Sequence, residues 1–196
     1  MISLGEKNDI WLGMPQETPE QQLWADNYYN DELIPLAQEA FCTRHAQLAL
    51  PEYYGLFVLL GPAWEQAAFV ARLLEPQNLH VICLQDYRAQ YRQLVEHLGW
   101  DEERCLCTTV SRGDAASVYR VLHKQQAIWE SMGRSAIDYT GGGQFLRLAA
   151  AQAAGCMGID GYCLQVRYLE AQHRHLPGTE KLVTLPNVQA VLPDLA

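Results

Sequence analysis

Ser135-Ala-Ile-Asp-Tyr-Thr-Gly-Gly-Gly-Gln144 runs directly into Phe145-Leu-Arg-Leu-Ala-Ala-Ala-Gln-Ala-Ala154, and this stretch decides the fold. Ser135–Tyr139 has the short apolar character of a buried strand. Thr140–Gly143 is a turn, and Gln144–Ala154 reads as a helix rich in small residues. A strand that enters a helix through so short a turn is one half of a βαβ unit.

Reading outward toward the N-terminus, the same pattern repeats. Gly55–Leu60 is an apolar run bounded by glycines, as expected for a strand buried on both faces. Gly61-Pro62 turns the chain, and Trp64–Leu74 reads as a helix. His80–Leu84 is the next strand; Asp86 is expected to cap a helix running to Leu98, which Gly99 closes. Leu106–Val110 is a third strand. Asp114 caps a long helix that ends near Met132-Gly133. Reading toward the C-terminus, Gly161–Tyr168 is a fifth strand, Leu176–Glu180 a surface turn and Lys181–Leu185 an edge strand. This alternation from Tyr54 to about Arg167 predicts a Rossmann-like α/β domain. It has a mainly parallel sheet, helices on both faces and right-handed crossovers.

The first fifty residues follow another pattern. Thr18-Pro19-Glu20 starts a helix with a capping residue, a proline and an acid. Asp31–Leu48 carries Leu33, Leu36, Ala37, Ala40 and Phe41 at helical spacing, with Pro35 tolerated in the first turn. The expected division is a helical N-terminal extension over residues 1–52 and a Rossmann-like domain over residues 53–196.

The chain has 196 residues, 49% of them hydrophobic, and a formal net charge of −9. That acidity excludes sequence-blind binding to long DNA or RNA. It leaves open the binding of a small anion, because backbone amides and helix dipoles act locally. No apolar run reaches the length of a membrane span, and Met1–Trp11 lacks the pattern of a signal peptide. The six cysteines form no CxxC pair; they read as free thiols in a reducing cytoplasm. Cys105 and Cys107 share one strand face. His173 and His175 lack a third ligand at suitable spacing and read as exposed, so no metal or other cofactor is expected.

Ligands of open α/β sheets bind beyond the carboxyl ends of the strands, where the strand order reverses. Four loops reach that edge. They contribute Gly61, Pro62, Ala63 and Trp64; Gln85 and Asp86; Ser111 and Arg112; and Thr140, Gly141, Gly142, Gly143 and Gln144. Three glycines let a bulky anion approach the backbone, and the helix behind them offers unpaired N–H groups and a positive dipole end. Thr140 is a candidate hydroxyl donor and Gln144 a candidate amide. Asp138 would brace the turn or bond to a sugar hydroxyl. The run is neither GxGxxG nor a P-loop, and a tight turn that needs glycine for packing is the alternative reading. Arg112, the only cation of the four loops, reads either as a phosphate partner or as a solvated arginine paired with Asp114. Trp64 reads as a base-stacking group or as simple packing. No catalytic Ser-His-Asp or Cys-His set is legible.

Thr140-Gly-Gly-Gly-Gln144, with its Ala-rich helix, resembles the Thr-Gly-Gly-Thr-Lys segment of CRISPR-associated Rossmann-fold (CARF) domains. The resemblance spans about Tyr54 to Tyr168. Gly61-Pro62-Ala63 stands at the family's other ligand loop. Gly143 and Gln144 replace the usual threonine and lysine, which weakens phosphate binding and any ring cleavage; Arg112 or Arg147 would have to substitute. The resemblance implies a two-fold homodimer binding cyclic oligoadenylate, the tetra-adenylate foremost, in type III CRISPR antiviral signalling. The family usually attaches an effector; the residues after Arg167 are too few for one, so the resemblance implies a stand-alone sensor or ring nuclease, or an excised sensor domain, with an effector that is separate or fused. Two alternatives remain at this stage: a metal-independent ring nuclease using the same pocket, and an unrelated Rossmann-like nucleotide-binding enzyme.

Overall fold

The computed structural model describes residues 2–185. By their internal contacts they fall into two compact units, one made of the chain up to Leu48 with Gln165–Lys181, the other of Ala49–Leu164 with the chain from Leu182 on. The sequence reading placed one boundary near residue 52 and kept everything beyond it together. The contact grouping places Gln165–Lys181 with the N-terminal helices.

Three helices lead the chain: α1 (Leu4–Leu12), α2 (Pro19–Tyr28) and α3 (Ile34–His45). Helix α1, which the sequence reading did not mark, is started by a reciprocal capping box between Ser3 and Glu6. Thr18 and Gln21 form the same box on α2. A π-helical turn over Tyr29–Leu33 joins α2 to α3 and buries both Tyr29 and Leu33.

The sheet unit then alternates β1 (Gly55–Leu60), α4 (Trp64–Leu74), β2 (Asn78–Cys83), α5 (Arg88–Leu98), β3 (Cys105–Thr109), α6 (Ala115–Trp129), β4 (Ser135–Asp138), α7 (Gln144–Met157) and β5 (Asp160–Gln165). Two short antiparallel strands follow, β6 (Tyr168–Leu169) and β7 (Arg174–His175), before the edge strand β8 (Lys181–Leu185). The expected fifth strand is therefore shorter than Gly161–Tyr168, since Tyr168 pairs with His175 instead.

The sheet order is β3-β2-β1-β4-β5-β8, and the ladders β3–β2, β2–β1, β1–β4 and β4–β5 are parallel. The Rossmann-like sheet expected from the alternation is present. Every residue of β1 is buried, as its unbroken apolar run requires at the centre of a sheet covered on both faces. Phe57, Leu59, Ile82 and Ile137 pack on one face with Val118, Leu122 and Trp129 of α6 and Leu146, Ala150 and Ala153 of α7. Helices α4 and α5 pack together as a second pair.

Asp86 is not a helix cap. Gln85–Tyr87 forms a 3₁₀ turn, and α5 begins only at Arg88 with no side-chain cap. Asp114 does cap α6, accepting the Ser117 N–H at 2.9 Å. No helix among the described residues is long and apolar enough to cross a membrane.

Candidate functional site

The strand order reverses between β1 and β4, the first strand having β2 on one side and β4 on the other. Loops leaving the carboxyl ends of these two strands therefore meet at the switch point. Gly61, after β1, lies against Gly141 and Gly142, after β4. A Cβ on Gly141 would stand 2.1 Å from the Leu59 carbonyl oxygen and 2.9 Å from the Gly61 nitrogen, so no other residue fits there without a backbone shift. Gly142 has φ +67°, a left-handed conformation that other residues adopt at a cost. Packing thus accounts for two of the three glycines. The third, Gly143, has open space where a side chain would be, and it is exposed.

Gly143 is also the N-cap of α7, and no side chain caps that helix. The helix after β1 has the same character: its N-cap is Ala63, again with no side-chain cap. The helix after β3 differs, because Asp114 caps it. Both strands flanking the switch point are therefore followed by helices with no side chain at the N-cap, but α4 begins with buried Trp64 and Glu65, an acid in its first turn, whereas the start of α7 at Gly143–Phe145 is exposed. A helix start of this kind carries roughly half a positive charge. Its N–H groups suit the oxygens of a phosphate.

Asp138, the last residue of β4, braces the turn from below. Its Oδ1 accepts the Thr140 N–H at 2.9 Å and the Thr140 hydroxyl. The same hydroxyl oxygen accepts the Leu164 N–H at 2.7 Å, which ties the turn to β5. Thr140 therefore has no hydrogen left for a ligand while this arrangement holds. The expectation of a donor there gives way to a positioning role. The Asp138 carboxyl is wholly buried, and its Oδ2 meets no partner among the described residues. Burial pushes its pKa up to about 7, against the opposing pull of the two Thr140 bonds. The nearby Cys163 thiol is raised as well, by burial first and then by the Asp138 charge. The sequence placed Asp138 as a brace for the turn but could not show a buried carboxyl with one oxygen left without a partner among the described residues.

The remaining expected residues divide. Pro62, Gln85, Asp86, Ser111 and Gln144 are exposed, Ala63 half-buried. Arg112 points into solvent with its side chain 80% exposed, and its guanidinium lies 4.0 Å from Asp86 Oδ2. That partner is Asp86 rather than Asp114, whose carboxylate is taken by Ser117. Trp64 is buried and packs on the His97 ring at 4.9 Å, so it serves the core and presents no face for stacking. Among the described residues, no group of three His, Cys, Asp or Glu side chains is placed to hold a metal ion.

An open sheet with parallel ladders in the order 3-2-1-4-5, its strands alternating with helices, defines the chain as a Rossmann-like α/β protein. No protein-family model matches the sequence, and no curated protein does either. Among the solved structures similar to it are the following three. Csm6 from Enterococcus italicus, bound to cyclic hexa-2'-fluoro-hexa-dAMP, matches 74% of this chain and 46% of its own at a TM-score of 0.51 and 10% identity. Can2 from Sulfobacillus thermosulfidooxidans, in complex with cyclic tetra-adenylate, matches 71% of this chain and 38% of its own at 0.48 and 14%. Protein VC1899 from Vibrio cholerae matches 57% and 31% at 0.46 and 8%. The chain spans less than half the length of each. At these identities the likeness bears on fold, and the fold is the one that the CARF resemblance implied.

Proposed function

We propose that this chain is a sensor domain that binds cyclic oligoadenylate at the switch-point edge of its sheet, with the tetra-adenylate as the expected ring. The observation that carries the reading is the uncapped, exposed start of α7 behind Gly143, beside Gly61 at the end of the adjacent strand. Its first-turn amides would meet a phosphate without a basic patch. Csm6, which shares the fold, is bound in its solved structure to a cyclic hexanucleotide.

The reading includes a two-fold homodimer with the ring lying across the axis, since a symmetric ligand matches an isologous interface. Leu148 on α7 is 70% exposed and Phe145 41%, large apolar side chains beside the candidate site that a partner copy would cover. An effector, fused or separate, would read out binding. Calorimetry of the full chain with cyclic tetra- and hexa-adenylate tests the proposal: heat with either ring is expected, and no heat with both overturns it. Chromatography of the ligand after incubation then separates a sensor, which returns the ring intact, from a ring nuclease. Arg112→Ala is expected to weaken binding; unchanged affinity would remove Arg112 from the site.

A further inference from the structure

The other unit holds a cleft of about 640 Å³ with a different character. Among its lining residues are Arg44, Arg167 and Lys181, with Gln165, Thr179 and Glu180 between them. The excursion between β5 and β8 creates this convergence. The Leu176 N–H donates to the Arg167 carbonyl at 2.8 Å and the Arg167 N–H donates to Thr179 Oγ1 at 3.1 Å, so the two ends of the excursion run side by side. Arg167 and Lys181 are brought to one opening in this way.

The single carboxylate of the cleft is directed inward. Glu180 is wholly buried, and it accepts the Gly178 N–H at 3.0 and 2.9 Å on its two oxygens. His175 Nε2 lies 3.1 Å from one of them. On its other side the His175 ring meets Tyr29 through Nδ1 at 3.0 Å. The Tyr29–His175–Glu180 chain is a buried foundation for the cleft wall. Arg44 is held in place by donating to the Gly178 and Glu180 carbonyls at 2.8 and 3.0 Å, and it lies 3.7 Å from Glu180 Oε2; these two bonds leave three of its five N–H groups unassigned. Among the described residues, Arg167 and Lys181 have no ion-pair partner.

Three cations share one opening with a single carboxylate, Glu180, beside Arg44, which leaves a positive excess at this place in a chain of net charge −9. The geometry points to a second anion site: this cleft takes a phosphate-bearing small molecule of about mononucleotide size. The volume lies within the roughly 300–1,000 Å³ of small-molecule sites. A planar guanidinium fixed by backbone carbonyls is suited to paired phosphate oxygens, with Arg167 and Lys181 meeting the remaining charge. This inference does not depend on the sheet-edge reading, since every residue it uses lies in the helical unit.

The test is calorimetry of the full chain with two probes, pyrophosphate and ATP, at low ionic strength. Binding of both is expected. The double substitution Arg167→Glu with Lys181→Glu is expected to weaken each at least tenfold, while circular dichroism and the response to cyclic oligoadenylate stay as in the wild type. Tighter binding of ATP than of pyrophosphate adds a contact to the base or sugar; equal binding means that phosphate alone is recognised. Should the double variant fail to fold, Arg167→Gln alone is expected to weaken pyrophosphate binding at least threefold. The inference is overturned by absence of binding to the wild type, by unchanged affinity in the cleft variants, or by loss of binding in Gly143→Glu at the sheet edge instead.

Discussion

Replacing Asp138 with Asn isolates the energetic role of the buried carboxyl beneath the glycine turn. In the folded chain this group is wholly buried and titrates near 7, whereas an aspartate ordinarily titrates at 3.8. Its folded pKa is raised, so the native state holds a proton that the unfolded chain releases between those values. The stabilising contribution is complete below about pH 4, declines as the pH rises, and is gone above about pH 7. At roughly 1.4 kcal/mol for each pH step across that window, the wild type loses about 4 kcal/mol from this group between pH 4 and 8. Asparagine keeps an oxygen for the Thr140 N–H and hydroxyl but cannot ionise. Its amide nitrogen would occupy the place of Oδ2, which has no partner among the described residues. The protonated carboxyl of the wild type likewise holds an O–H at the partnerless Oδ2, so at low pH both proteins bear an unpaired buried donor, a cost of about 1–3 kcal/mol. Asp138→Asn should therefore be close to the wild type in stability at pH 4.5 and more stable than it at pH 8. Urea unfolding read by tryptophan fluorescence at intervals between pH 4 and 9 measures the difference directly, because titrations common to both proteins cancel. Two curves that remain parallel over the whole range would refute the reasoning, since they would mean that Asp138 ionises in the folded chain as freely as in the unfolded one.

The two glycines on either side of Gly142 should behave oppositely. Gly141→Ala drives a Cβ to 2.1 Å from the Leu59 carbonyl oxygen and should cost about 3 kcal/mol or more in thermal unfolding. Gly143→Ala enters open space at an ordinary φ of −47° and should cost about 1 kcal/mol at most, while its methyl group weakens cyclic oligoadenylate binding in calorimetry. Tyr29→Phe removes the hydroxyl that meets His175 Nδ1 and donates to the His175 carbonyl. It should lower stability by about 1–2 kcal/mol in chemical denaturation and loosen hydrogen-exchange protection around residues 174–180. Leu148→Glu places a charge on the exposed apolar face of α7; if that face joins two copies, sedimentation should show a lighter species than the wild type does.

The strand ends and helix starts of the sheet unit were readable because they depend on neighbours in sequence. The glycine-bounded run Gly55–Leu60 and the helix Trp64–Leu74 appear with the bounds their apolar patterns suggest. Asp114 caps its helix as its position implies. Even the cap at Asp86 failed for a local reason, a 3₁₀ turn inserted before α5. The turn at Thr140–Gly143 was visible as the link between a strand and a helix, and α7 begins directly after it at Gln144.

What the one-dimensional pattern could not disclose are features made by residues far apart in the chain. His175 reads as an exposed histidine in a polar stretch, yet it is buried between Tyr29 and Glu180, 146 residues from one and five from the other. Thr140 reads as a free hydroxyl, yet the Leu164 N–H claims its oxygen and Asp138 its hydrogen. Sequence by itself determined the strand-helix alternation, because periodicity and capping act over a few residues. Tertiary structure alone decided which polar groups were spent in the scaffold and which stayed available, because a hydrogen bond or a burial depends on whatever the fold brings into contact.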